Sequence, residues 1–197
     1  TGFQGQSWPV KYLGVPLSLG RSKSVLFDGV IASVRAKLHH WSSRFLSAGG
    51  KLILIRHVLS SMPLYLLQVT KPPKGVFLRL GKLFNAFLWD GKDGRRIHWS
   101  SWEKVCFPVE EGGLGFRSLL DLERAFAMKL WWTIRQKSSL WARFMHRKYI
   151  GEQHPCLVSA TVGSATWKRV CLVRAITEDN IRWRLGEGFI DLWHDRW

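Results

Sequence analysis

WSSRFLSAGGKLILIRHVLSSMPLYLL, Trp41 to Leu67, holds the longest apolar helical pattern in the chain. From Lys51, the residues Leu52, Ile55, Val58, Leu59 and Met62 recur at spacings of three and four. At ~100° per residue they fall with Leu54 on one broad arc. Arg56, His57, Ser60 and Ser61 share the opposite arc. This predicts a helix with one buried side, starting after a stop at Gly49-Gly50. Pro63 removes a backbone donor and should end or kink it near Ser61 or Met62. Lys51 and Arg56 are the cations this helix offers to an anion.

Upstream, Phe27, Val30, Ile31, Val34, Leu38 and Trp41 recur at helical spacing between Ser24 and Trp41, with Ser24 as a candidate cap. His39 and His40 follow in the last turn. Adjacent histidines on a helix point in different directions, so they suit a helix C-terminus better than a metal. Nearer the start, Trp8 to Leu19 mixes Val, Tyr and Leu with Pro9, Gly14 and Pro16, which predicts short extended pieces meeting at a turn.

Downstream, Lys71-Pro72-Pro73-Lys74 is a rigid basic connector into a helix from Val76 to Trp89. Its apolar residues crowd one arc and leave Arg79 and Lys82 on the other, so these two can line one groove with Lys71 and Lys74. Asp90 to Arg96 is turn-rich and carries Arg95 and Arg96, and Ile97 to Phe107 has the composition of irregular strand. Glu110 to Gly115 is a loop whose glycines serve backbone conformation. It lacks the Lys-Ser or Lys-Thr of a phosphate loop.

Leu119 to Gln136 is a further helix, apolar on nearly every side. Arg124 and Arg135, eleven residues apart, should project the same way from it. Leu140 to Tyr149 adds a short helix with Arg143 and Arg147 at i, i+4 and Lys148 beside them. Ile150 to Gly163 is polar and small, the pattern of a linker. Ser164 can cap a helix through Ile176, and Ile181 to Trp193 alternates about a glycine turn, as a β-hairpin does.

Composition narrows the class. Apolar residues make up 46% of 197, and twelve tryptophans with eleven phenylalanines exclude a solvated tail. Thirty Lys and Arg against fourteen Asp and Glu leave a net charge of +16. A surface so basic calls for a polyanion, nucleic acid before an acidic membrane. Cys106, Cys156 and Cys171 are widely spaced and odd in number, which argues against a disulfide framework or a zinc site and for a reducing compartment. No apolar run reaches the ~20 residues that span a bilayer. The absence of an initiator Met at Thr1 makes the chain read as an excerpt.

Several motifs in this order resemble the region after the polymerase palm in plant non-LTR (LINE-type) retroelement reverse transcriptases. They are Tyr12-Leu13-Gly14; Leu46-Ser47 with Gly49-Gly50-Lys51-Leu52; Val58-Leu59-Ser60-Ser61 with Pro63 and Tyr65-Leu66; Phe87-Leu88-Trp89; Arg96-Ile97-His98-Trp99 with Trp102; Val105-Cys106 with Pro108; Gly112-Gly113-Leu114-Gly115; Leu140-Trp141; and Lys148-Tyr149. The sequence departs from the family pattern at Lys51, His57, Val109 and Glu123. The last of these stands where asparagine is usual.

The resemblance implies a mainly α, thumb-like helical bundle with a short N-terminal extended hairpin, an irregular β segment near 95–108 and a C-terminal β-hairpin. It divides the chain into an end-of-palm hairpin (1–20), a basic thumb and connection region (21–149), a linker (150–163), and a helix plus hairpin (164–197) leading to an absent downstream module. It places Lys11, Tyr12 and Gly14 against primer phosphates. The polymerase carboxylates, on a Tyr-x-Asp-Asp turn holding two Mg²⁺ ions, would belong to a palm that this sequence lacks, so no cofactor is expected in this region. The expected function is a non-catalytic grip on an RNA template and DNA primer duplex through phosphates. Its partners would be RNA, an RNA–DNA hybrid or DNA, and the palm and fingers of the same polyprotein, with no membrane and a nuclear or other intracellular setting. A degenerate retroelement fragment retained as a protein-interaction module is the alternative.

Overall fold

The computed structural model describes residues 10–17, 22–42, 46–90, 99–183, 186 and 190–196, and it is mainly helical with one small antiparallel hairpin. The chain forms two compact units, Thr1–Leu122 and Glu123–Trp197.

In the first unit, β1 (Val10–Tyr12) pairs antiparallel with β2 (Val15–Leu17), Lys11 standing opposite Pro16. Leu13 and Gly14 make the turn at φ 49° and 79°, and a Tyr65 hydroxyl donates to the Leu13 carbonyl at 2.8 Å. A 3₁₀ turn, Ser24–Phe27, leads into α1 (Asp28–Ser42). Ser24 lies inside this turn, and the capping position is held by Lys23 without a side-chain bond. The apolar spacing nevertheless reads correctly, since Phe27, Ile31, Val34 and Leu38 are all buried.

The central stretch differs from its sequence reading at its start and in its middle. Gly49 and Gly50 do not stop a helix; they form the first turn of α2 (Ala48–Leu54), where the Ser47 hydroxyl accepts from the Gly50 N–H at 3.2 Å. First-turn N–H groups have no intrahelical partner, so a capping serine there offsets what glycine costs. The helix then widens into a π turn, Ile55–Leu59, closed by Ser60 N–H to the Ile55 carbonyl at 3.0 Å. Ile55 and Leu59 are fully buried, whereas Ile53 is exposed. Pro63 ends the element as expected and precedes α3 (Leu64–Val69).

The spine of this unit is α4 (Lys74–Leu88), which packs on α1, α2 and α5. It buries Val76, Leu80, Phe84, Phe87 and Leu88. The residues 99–108, expected as irregular strand, instead contain α5 (Trp102–Val105), capped by the Ser101 hydroxyl accepting from Lys104 N–H. Trp102 stacks on Phe116 (centroids 5.5 Å) and meets Phe84 edge-on at 5.4 Å, so its tryptophan content serves helix packing.

In the second unit, α6 (Leu119–Gln136) from Glu123 onward lies with α7 (Leu140–Tyr149), α8 (Ala165–Leu172) and α9 (Arg174–Asn180). Ser139 caps α7 and Ser164 caps α8. The predicted final helix breaks at Val173 into α8 and α9. The core centres on Trp131, Ile134, Met145, Trp167 and Val170. Trp167 stacks flat on Tyr149 at 4.7 Å. Residues 150–163 contribute buried Ile150, Pro155 and Val158 to this unit. Five of the thirteen residues of the expected C-terminal hairpin, 184–185 and 187–189, lie outside the described residues. Its described flanks, Ile181–Trp183 and Ile190–Arg196, form no strand and are joined by the Trp183 N–H to the Arg196 carbonyl at 2.9 Å.

Candidate nucleic-acid interface

Because α4 spends its apolar arc on the core, its other side is turned outward. Lys74 and Lys82 are exposed there, and Lys71 is exposed on the connector, where buried Pro72 anchors the chain. Among the described residues these three lysines have no ion-pair partner. Lys74 and Lys82 are eight residues apart, ~12 Å along the axis. Arg79 shares the face but is paired with Asp28 at 2.7 Å, both side chains about half exposed. Lys51 is committed inward: its ammonium donates to the Asp90 carbonyl and stands 5.8 Å from the Phe87 ring centre.

On the hairpin, Lys11, Tyr12 and Gly14 are exposed, with Tyr12 64% accessible at the turn that Tyr65 holds. Arg56 projects from the π turn, donates to the Leu114 carbonyl at 3.0 Å and lies over Phe116 at 5.6 Å. Arg95 and Arg96 lie outside the described residues.

In the second unit, Arg143 and Arg147 are exposed on α7 and, among the described residues, have no ion-pair partner. Lys148 lies 5.5 Å from the Phe144 ring centre and 5.4 Å from that of Tyr149, and Phe144 is itself 57% exposed. This interleaving of cations with an accessible aromatic ring suits a phosphate chain carrying unpaired bases. Arg124 is also exposed, but Arg135 does not share its surroundings.

The Arg135 side chain is 7% accessible. It lies 3.0 Å from Glu178, bonds to Asp195, and stacks 5.0 Å from the Trp183 ring centre. Its Nε faces Glu178 off the line of a hydrogen bond, so that contact is ionic. Glu178 also accepts from the Trp131 indole at 2.7 Å. Equal helical phase put Arg124 and Arg135 on one side; the segment after Trp183 then covered one of them. Arg135 therefore holds the unit together and is not available to a ligand.

The acid–base groups of the second unit invite a catalytic reading that their geometry refuses. His154 Nε2 faces Asp195 at 3.1 Å, while its Nδ1 accepts from the backbone N–H of Cys156 at 3.3 Å. Neither ring nitrogen is left to take a thiol proton. Burial pushes the Cys156 thiol up, with Glu178 adding to it. Burial, then Asp121 and Glu103, raise Cys106 to about 11, and burial raises Cys171. Thiolates are the reactive form, so none of the three is an activated nucleophile. Among the described residues, no three His, Cys, Asp or Glu side chains converge as metal ligands would. Among the same residues no helix is long and apolar enough to cross a membrane.

Two residues that the sequence reading passed over, His57 and Arg117, open with Arg56 on one cleft of about 530 Å³. Arg117 sits in irregular backbone after a glycine loop, where periodicity says nothing about direction.

Comparison with known proteins agrees in kind. The chain is 32% identical over 190 residues to a protein of Arabidopsis thaliana named "Putative ribonuclease H protein", covering 93% of this chain and 31% of that one. It is 27% identical to an uncharacterized mitochondrial protein of the same plant, over 70% of this chain and 92% of that protein. It is 30% identical over 119 residues to an uncharacterized 149 kDa protein of transposon TX1 from Xenopus laevis, 9% of whose length is matched. The chain thus spans about a third of the first relative and is similar in sequence to retroelement-type proteins. No family model matches the chain, and no solved structure matches it.

Proposed function

We propose that the chain is the region following the palm of a LINE-type reverse transcriptase, and that it grips the RNA template and DNA primer duplex through phosphates without doing chemistry itself. The observation that carries this is the set of exposed cations that are unpaired among the described residues: Lys71 on the connector, Lys74 and Lys82 on α4, Arg143 and Arg147 on α7. A net charge of +16 supports it, as does similarity to retroelement-type proteins. Lys11 and Tyr12 extend the contact at the hairpin, and the palm and fingers of the same polyprotein are its protein partners. Cations that meet phosphates release counterions, so affinity falls as salt rises and depends little on base sequence. The test is a salt series of binding to an RNA–DNA hybrid, comparing the chain with its K71Q/K74Q/K82Q variant. A shallower salt slope in the variant supports the grip; no binding by the parent chain, or identical slopes, overturns it.

A second reading has one observation in its favour. The uncharacterized mitochondrial protein is matched over 92% of its own length, so a relative of about 70% of this region is a chain of its own. On that reading the chain is a retained fragment acting as a protein-interaction module. Salt-insensitive association with a protein, together with no hybrid binding, would select it.

A further inference from the structure

We infer that the cleft between the π turn and the glycine loop of the first unit is a binding site for a phosphate monoester carried on a sugar, such as a nucleoside monophosphate or the phosphorylated end of a nucleic-acid strand. This is a discrete site, separate from the lysines of α4, and it stands whether or not the chain grips a duplex.

The cleft is lined on its cationic side by Arg56, His57 and Arg117, and among the described residues no carboxylate lines it. Glu110, Glu111 and Asp121 are close in sequence to lining residues but do not line it themselves. Arg56 is set in place by one bond to the Leu114 carbonyl and by its stacking on Phe116. Guanidinium has five N–H donors, so most of its capacity remains for a ligand. Phe116 is 3% exposed and fixed by its stack on Trp102, which makes the floor rigid. Arg117 and His57 are exposed and, among the described residues, have no partner. Three side chains able to carry positive charge thus surround a concave space without an internal anion. That arrangement is repulsive until an anion enters.

The serines that share the lining are of different chemistry. Ser60 and Ser61 donate their hydroxyl protons to the Ile55 and Val58 carbonyls at 2.8 and 2.7 Å. Each serine therefore presents only lone pairs to the cleft and can receive a donor but not bind an anion. A bare phosphate satisfies the cationic wall alone. A phosphate on a sugar satisfies both, since its hydroxyls supply the donors. The π turn makes this pairing, because the widened turn holds Arg56, His57, Ser60 and Ser61 around one opening; π turns recur at functional sites. At about 530 Å³ the cleft is of the size that encloses a small organic ligand.

The test uses the full chain and calorimetric titration with adenosine 5′-monophosphate, adenosine and inorganic phosphate, then a 5′-phosphorylated oligonucleotide against its unphosphorylated form. The monophosphate should bind saturably and more tightly than phosphate or adenosine, and the end phosphate should tighten the oligonucleotide. R117Q, an exposed change whose thermal melt should match the parent, should weaken the monophosphate roughly tenfold, the value of one charge-assisted hydrogen bond. K74Q/K82Q should leave it unchanged. Saturation by the mononucleotide but not the strand end would assign the site to free nucleotides. Absence of saturable binding, an R117Q variant that binds equally well, or an equal loss in K74Q/K82Q would overturn the assignment.

Discussion

Glu123 illustrates how much a single side chain can carry. The retroelement pattern has asparagine there, and a lone acid in a helix reads as surface. In the structure it is 4% exposed and bonds to Arg169, itself 3% exposed, at 2.8 Å. Burial works against the Arg169 charge and pulls its pKa down, while Glu123 opposes that shift. Taking the carboxylate out of a buried ion pair costs up to ~3–5 kcal/mol. Glu123→Ala should therefore lower the stability of the second unit by about that much, as chemical denaturation would show. A loss within ~0.5 kcal/mol would mean the pair is solvated.

Acid should act on the same unit through two groups. His146 is held below its ordinary 6.5, by burial first and then by Lys137 and Arg135. For Asp195, burial pushes upward, but the Asp191 N–H, the Arg135 charge and bonds from Arg135 and His154 outweigh it and bring it below 3.8. Both folded values are depressed, so the unfolded chain takes up each proton first and stability falls with pH. The His146 contribution is present above 6.5 and lost as pH drops through its folded value; that of Asp195 is present above 3.8 and lost below it. Denaturation midpoints across this range should step down in two windows, and His146→Gln should flatten only the upper one.

Among elements, the contact of α4 with α5 is set by the absence of a side chain. A Cβ on Gly81 would lie 2.8 Å from the Trp102 ring, closer than real contacts allow, and Trp102 is already held between Phe84 and Phe116. Alanine is the better helix former by ~1 kcal/mol, whereas overpacking costs ~1–3 kcal/mol. Gly81→Ala should thus destabilise the first unit despite its helix propensity, and a raised melting temperature would refute the close approach. Gly113 is stricter, since its Cβ would meet the Phe107 carbonyl at 2.0 Å. The sequence reading located α4, α6 and α7 to within two residues, α4 through its one long apolar arc and α6 through a run that is apolar on nearly every side. It misplaced the start of α2, which a serine caps, and missed α5, where a cap and the two ring contacts of Trp102 outweigh propensity.

At the scale of the whole molecule, charge is the dominant quantity, and it bears on binding more than on fold. Each phosphate contact contributes about 0.9 to the log–log salt slope on duplex DNA, so losing Lys71, Lys74 and Lys82 should lower the slope by at most ~3 on such a duplex. Of the cations expected to bind, Lys11, Lys71, Lys74, Lys82, Arg143 and Arg147 remain exposed and unpaired among the described residues. Lys51 and Arg135 are spent internally, and Arg79 is shared with Asp28.

The amino-acid order by itself determined where α4, α6 and α7 run and that the net charge is strongly basic, because apolar spacing and net charge are local or additive properties. Which arginines stay free was decided by tertiary structure alone. An ion pair such as Arg135 with Asp195, or a cleft uniting Arg56 with Arg117, joins residues sixty positions apart, and helical phase carries no information over that distance.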